Sequence, residues 1–272
     1  MTRFNGNTVL ITGGALGMGK RIAERCIDER AARIVLWDID EHALNATADE
    51  LRARGGNVET GVVDVSSIEA IEAATREVLA TGPVGILFNN AGIVVGKRFA
   101  DHSSDEIERS IRINVLGSMH VARAFVSAMI DRGEGHIVNI ASAAALVPNP
   151  SMSVYASSKW AVLGWSESLR LELEHLGRDL HVTTVCPSYI DTGMFDGAKA
   201  PLLTPMLKPE TIVNRIVRAV QRNRILLRAP RIVYLLPLLR GVLPARVFDL
   251  LIGRGFRIYE SMDSFKGRAK EP

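Results

Sequence analysis

Cysteine is nearly absent from this 272-residue chain: Cys26 and Cys186 are the only two, and they make no C-x-x-C pair. That excludes a disulfide framework and sets a reducing compartment as the expectation. The six histidines, at positions 42, 102, 120, 136, 175 and 181, include no H-E-x-x-H or other short ligand cluster, so no metal site is expected. Aromatic residues amount to 6% and no nucleic-acid-binding motif occurs, which argues against nucleic acid as a partner. No apolar run reaches about 18 uninterrupted residues, so no spanning helix is expected. Met1-Thr2-Arg3-Phe4-Asn5 leads almost directly into a strand without a signal-peptide apolar region, and a cytoplasmic protein is the expectation.

What is present has the balance of a globular protein, 47% hydrophobic and 23% charged, with a length that suits one α/β domain over residues 1–272. The net charge of +3 is unevenly placed. Residues 208–272 hold 14 Lys+Arg against 5 Asp+Glu, leaving 19 against 25 in the rest. A basic tail on an acidic body points to an anionic partner such as a membrane surface.

Thr8-Val9-Leu10-Ile11-Thr12 reads as a buried parallel strand, followed by Gly13-Gly14-Ala15-Leu16-Gly17-Met18-Gly19 and a helical pattern from Lys20 to Cys26. A strand, a glycine turn and a helix in that order form a phosphate cradle, since glycines admit a pyrophosphate to the backbone and the helix N-terminus supplies N–H groups. The second strand, Arg33 to Asp38, ends in a carboxylate 19 residues after Gly19. An acid there accepts both ribose hydroxyls of adenosine and repels a 2′-phosphate, so NAD is favoured over NADP. A third strand, Val58 to Val65, ends at Asp64-Val65, which reads equally as the resting edge of an adenine ring or as a helix lead-in. Ser66 with Glu69 reads as a capping box. Repeated strand–helix alternation implies parallel strands with a ligand crevice at their C-terminal ends.

A fourth strand ends in Asn89-Asn90-Ala91-Gly92, whose amides can tie neighbouring loops while Gly92 leaves room for a ribose. Ser103 with Glu106 caps a long helix to about Asp131, and Asn114 in its middle either bends the helix or holds a water. His136 to Ile140 is the fifth strand and delivers Ser142 to the crevice rim. Tyr155 and Lys159, four residues apart at the start of the following helix, share one face. A phenol titrates near about 10, so it works as an acid or base at neutral pH only if a cation stabilises its phenolate. A serine hydroxyl and that phenol can converge on one substrate oxygen. Leu180 to Cys186 is the sixth strand, followed by Pro187-Ser188-Tyr189-Ile190-Asp191-Thr192.

Thr12-Gly13-x-x-x-Gly17-x-Gly19, Asn89-Asn90-Ala91-Gly92, Asn114, Ser142, Tyr155-x-x-x-Lys159 and Pro187-x-x-Ile190-x-Thr192 together resemble the short-chain dehydrogenase/reductase family, over nearly the whole chain. Ser188 departs from the pattern, since many members carry glycine there, and this leaves the shape of that turn open. The resemblance implies a single-domain α/β fold, a Rossmann-type doubly wound parallel sheet, with a metal-free dehydrogenase site. Tyr155 resembles the general acid/base, Lys159 the residue that lowers its pKa and binds the nicotinamide ribose, and Ser142 the hydrogen-bonding partner of the substrate oxygen. Asn114 resembles the anchor of a water in the proton relay, and Thr192 the contact of the nicotinamide carboxamide. By the same resemblance, Thr12, Gly13, Gly17, Met18, Gly19, Asp38, Asp64, Val65, Asn90, Ala91, Gly92, Pro187 and Ile190 bind NAD with Tyr155, Lys159 and Thr192.

Pro209 opens a further helix with Ile212, Val213, Ile216, Val217 and Val220 as its apolar stripe, and Ile225 to Leu227 reads as a last strand. Beyond it, apolar segments are punctuated by Arg228, Arg231, Arg240, Arg246, Arg254 and Arg257. Residues from about 190 to 272 read as a substrate lid and a C-terminal apolar-basic extension. Within them, 225–257 reads as a lid, as the surface of a homodimer or homotetramer, or as a peripheral membrane contact. Asp191 to Gly197 and this tail resemble the subgroup containing retinol dehydrogenases and type 11-like 17-beta-hydroxysteroid dehydrogenases. That implies a bulky apolar alcohol such as a steroid, retinoid, aryl or long-chain alcohol; the N-terminal anchor usual in animal members is not expected here. A 3-oxoacyl thioester reductase is the alternative, with the tail receiving an anionic carrier, and Asp38 argues against it. A non-catalytic NAD-binding regulator is opposed by the intact Ser142, Asn114, Tyr155 and Lys159 set.

Overall fold

The computed structural model describes residues 1–202 and 204–267. The short apolar runs become seven parallel strands: β1 (Thr8–Thr12), β2 (Arg33–Asp38), β3 (Val58–Val62), β4 (Ile86–Asn89), β5 (Glu134–Ile140), β6 (Asp179–Pro187) and β7 (Leu226–Ala229). Their order is β3-β2-β1-β4-β5-β6-β7. The order reverses between β1 and β4, which pair through Val9↔Ile86 to Ile11↔Phe88, and the reversal opens a crevice at the strands' C-terminal ends. This is the doubly wound sheet that the alternation implies. On one face lie α1 (Gly17–Asp28), α2 (Glu41–Ala53) and α7 (Pro209–Gln221), burying Ile22, Leu44, Leu51 and Ile216 against Val9, Ile11 and Leu36. On the other, α3 (Ile68–Thr81), α5 (Ser118–Arg132) and α6 (Ser153–His175) bury Ile71, Phe125 and Leu173 against Leu10, Val35 and Leu87. The α7 stripe is buried at all five expected positions.

Three local expectations change. β3 stops at Val62, because Asp64 turns the chain: its carboxylate accepts from Ser66 N (2.8 Å) and its carbonyl from Ser67 N (3.0 Å). The cap of α3 is therefore Ser67, whose Oγ accepts from Ala70 N at 3.1 Å, and not Ser66. Finally, the helix opened by the Ser103–Glu106 capping box is not one α-helix to Asp131. It runs as α4 (Ser104–Ile111), a wide π turn over Arg112–Gly117, and then α5, with Asn114 inside the π turn. The composite Ser104–Arg132 helix is long and apolar enough to cross a bilayer, yet here it buries Val121, Phe125 and Met129 against the sheet.

Toward the N-terminal ends of the strands, away from the crevice, β5 holds a buried histidine. His136 bonds Thr2 Oγ1 through Nδ1 (2.7 Å) and Thr183 Oγ1 through Nε2 (2.8 Å), with the His181 ring 5.6 Å away. Burial first, then His181, pushes His136 down to about 3. The unfolded chain, with a histidine near about 6.5, takes up the proton first as pH falls, so the stability this group contributes is present above about 6.5 and lost toward 3. Thermal melts from pH 7 to pH 4 should fall more steeply for the native chain than for His136→Gln; equal slopes would remove His136 from this account.

After β7 the tail folds back. Within α8 (Leu236–Val242), α9 (Ala245–Phe248) and a π turn over Asp249–Arg254, Leu236, Phe248 and Ile252 join Val233 against Ala141, Leu146, Val162 and Cys186. The extension thereby becomes a wall beside the C-terminal end of β5.

Candidate active site

At the end of β1 the chain enters Gly13 with φ +63°, and α1 begins at Gly17, earlier than Lys20, so Gly17, Met18 and Gly19 form its first turn. A Cβ at Gly13 would stand 2.9 Å from Ala91 Cα, and one at Gly19 would collide with Gly13 O. Both positions require glycine for the backbone to close into a cradle. Asn90 ties β4 to that cradle by donating from Nδ2 to Thr12 O and Gly13 O, each at 3.0 Å, while Thr12 Oγ1 accepts from Asn90 N and Ala91 N, each at 3.1 Å. Asn89 turns inward instead, donating to Asn139 Oδ1 (2.9 Å) and Ser118 O (3.2 Å). Asp38 stands at the end of β2 with Oδ2 accepting from Ala15 N (3.0 Å) and Oδ1 from Ile39 N (2.8 Å). The carboxylate therefore braces the glycine loop at the end of β2. Asp64 serves as a helix lead-in, whereas Val65 lies with Thr12 and Ala91 in one shallow recess.

Asn114 is buried and clamps the segment after β4: Oδ1 accepts from Ile93 N (2.8 Å), and Nδ2 donates to Ile93 O and Ser158 Oγ, each at 3.0 Å. The π turn supplies the widened backbone that sets this amide across the gap between α5 and α6. A Cβ at Gly92 would come 3.1 Å from Asn114 Oδ1 and 3.5 Å from Lys159 Nζ, so Gly92 keeps open the space above both. Lys159 donates to Ile140 O at 2.9 Å and stands 5.7 Å from the centre of the Tyr155 ring. Burial lowers its ammonium to about 8. Tyr155 is also buried, and burial pushes its phenol above the ordinary value, opposed by a hydrogen bond with Ser142. The expected lowering by Lys159 is not seen here: burial dominates the phenol, and Lys159 Nζ donates to Ile140 O. Ser142 in turn accepts from Ala144 N at 3.1 Å, which fixes its hydroxyl at the rim.

Beside Ser142 lies a cavity of about 60 Å3 lined by apolar groups such as Val147, Met152, Phe195, Val233 and Leu236. The Phe195 ring sits edge-on to both Tyr155 (6.1 Å) and Tyr189 (5.1 Å). Within this apolar wall Asn149 Nδ2 donates to Tyr189 OH (3.0 Å) and Ser261 Oγ (2.9 Å). Met262 and Phe265 pack with Tyr155 and Phe195, covering the crevice from the C-terminal side. Asn149 and Tyr189 line the cavity while Ser261, Met262 and Phe265 pack next to them, and sequence reasoning assigned none of the five a role; Tyr189, inside the Pro187-to-Thr192 segment, carried the only usable signal. Pro187 ends β6, Ser188 N donates to Ala229 O (2.7 Å), Ile190 bridges to Leu207, and Thr192 N donates to Ile190 O (2.9 Å). The sequence-derived candidates thus gather at one sheet edge, Asp64 among them with its Oδ1 accepting from Ser66 N.

A family model described as short chain dehydrogenase matches residues 7–202. Among curated relatives, epidermal retinol dehydrogenase 2 of Mus musculus is 35% identical over 271 residues, spanning 98% of this chain and 87% of the relative. Estradiol 17-beta-dehydrogenase 11 of Pongo abelii is 36% identical over 248 residues, spanning 90% and 82%. Among solved structures, a short chain dehydrogenase/reductase from Burkholderia phymatum, in complex with NAD, superposes with a TM-score of 0.80 at 28% identity, covering 93% of this chain and 97% of that one.

Proposed function

The chain belongs to the short-chain dehydrogenase family of oxidoreductases, and on that premise we propose that it is NAD-dependent and interconverts a bulky apolar secondary alcohol and its ketone. The observation that carries the proposal is the meeting of Ser142 and Tyr155 at the edge of an apolar cavity, with Lys159 and Asn114 buried behind them. The glycine cradle and Asp38 fit a dinucleotide: the Cβ collisions at Gly13 and Gly19 leave backbone where phosphates bind, and no basic residue lies within Gly13 to Gly19. Gly92, Lys159, Pro187, Ile190 and Thr192 would hold the nicotinamide end. A dinucleotide held there would supply the hydride acceptor and, in its oxidised form, a positive charge that favours the phenolate.

The chain's own residues do the proton chemistry. Ser142 Oγ holds the substrate oxygen against Tyr155 OH, which removes its proton during oxidation and returns it during reduction. Lys159 stabilises the phenolate and, through Ile140 O, stays aligned on α6. Asn114 keeps Ile93 in place and positions a water behind Lys159. A steroid, retinoid, aryl or long-chain alcohol would enter the cavity beside Ser142, whose lining includes Phe195. Val147, Val233 and Leu236 offer an apolar bed, and Asn149 and Tyr189 a polar patch beside it.

Asp38→Ala tests the cofactor half of the reading. Removing the carboxylate takes away an acceptor for the ribose hydroxyls and the charge that repels a 2′-phosphate. The ratio of kcat/KM with NAD to that with NADP should fall by about tenfold or more. An unchanged ratio would show that selectivity does not rest on Asp38.

A further inference from the structure

The tail helices are apolar on both sides. Leu236, Phe248 and Ile252 face inward, whereas Leu238, Val242 and Leu250 face solvent at 63%, 72% and 61% exposure. Leu235, Leu238 and Val242 fall on one stripe of α8, and Val247, Leu250 and Leu251 on one stripe of α9 and the turn that follows. A helix apolar all round belongs in a core or at a lipid boundary, and here the core claims only one side. Around the exposed stripes stand Arg231, Arg246, Arg254 and Arg257, all exposed, with the Arg246 side chain 97% accessible. The acidic residues among them, Asp249 and Glu260, lie 3.9 Å from Arg246 and Arg257 and leave the face cationic.

We propose that this face, the outer side of α8, α9 and the Asp249–Arg254 turn, docks on an anionic phospholipid surface, with the leucines and Val242 entering the acyl boundary and the arginines meeting lipid phosphates. Charge decides the occupant: a second copy would bring the same cationic face to the contact, whereas an anionic bilayer complements the arginines. The inference goes beyond the dehydrogenase reading and uses none of its catalytic residues. Val233 and Leu236 of the same segment line the cavity, and Arg240 stacks on Trp160 of α6 at 4.4 Å while donating to Leu146 O at 3.3 Å. A docked face therefore sits against the cavity wall and the helix that carries Tyr155.

The test is co-sedimentation of the full chain with phosphatidylcholine vesicles, with and without 30 mol% (about a third) phosphatidylserine, against vesicle-free controls. The native chain should sediment with the anionic vesicles, and less so as salt rises. Leu238→Glu with Val242→Glu should abolish recovery, and Arg246→Glu with Arg254→Glu should lower the partition coefficient by about tenfold or more on the anionic vesicles. Circular dichroism of both variants should match the native chain, since all four positions are exposed. A native chain that stays in the supernatant overturns the proposal, as do variants that sediment like it. Variants that turn a dimer into a monomer in sedimentation velocity without changing vesicle recovery would assign the face to a second copy instead. NAD binding, followed by fluorescence on the same samples, separates failure of this inference from failure of the dehydrogenase reading.

Discussion

Replacing Tyr155 by Phe should lower kcat by about a thousandfold in both directions while leaving the dissociation constant for NAD within a few-fold of native. The substitution deletes one oxygen and keeps the ring, so the edge-on contact with Phe195 and the packing with Met152 and Met262 persist. What disappears is the proton acceptor that Ser142 orients. The pH dependence follows from the same group. Oxidation requires the phenol deprotonated and so should quicken as pH rises, whereas reduction requires it protonated and should slow. In the Phe variant both slopes should flatten. A variant with near-native turnover would mean that another group moves the proton.

Lys159→Ala should damage two measurements together. Turnover should fall by about a hundredfold or more, and NAD should bind about tenfold or more weakly, because one ammonium serves the phenol beside it and the ribose above it. The geometry behind this dual loss is the placement of Nζ between the Tyr155 ring at 5.7 Å and the space that Gly92 keeps open at 3.5 Å. The kcat and binding losses should be partly restored by Lys159→Arg only where the larger guanidinium still fits a site that is 5% exposed. Loss of turnover with unchanged NAD affinity would confine Lys159 to the phenol.

The residues that were legible in the sequence share one property: each sits where a local pattern ends. Thr12, Asp38, Asn90 and Ser142 close or follow apolar strands, and Tyr155 with Lys159 opens a helix, so a parallel topology alone brings them to one edge. Asn114 was visible as a misfit in a helical pattern, but not as the centre of a π turn, because the reason for the turn is the distant Ile93 and Ser158 that the amide reaches. The Ser66 cap failed by one residue because the Asp64 turn competes for the same backbone N–H groups. Asn149, Ser261, Met262 and Phe265 had no local signal. They meet Tyr189 and Tyr155 only because the tail returns across the cavity, a contact that spans 112 residues from Asn149 to Ser261. The basic, apolar character of that tail was plain in composition, while the division of its residues between a cavity wall and an exposed face required the folded helices.

The most direct test of the central claim is deuteride transfer. The native chain is mixed with NAD and, in turn, steroid, retinoid, aryl and long-chain secondary alcohols deuterated at the carbinol carbon, and the nicotinamide is analysed by mass spectrometry. The account predicts deuterated NADH, one label per ketone or aldehyde formed, with at least one of these apolar alcohols, and none above background with Tyr155→Phe. NAD binding to the native chain without label transfer from any of them would contradict it.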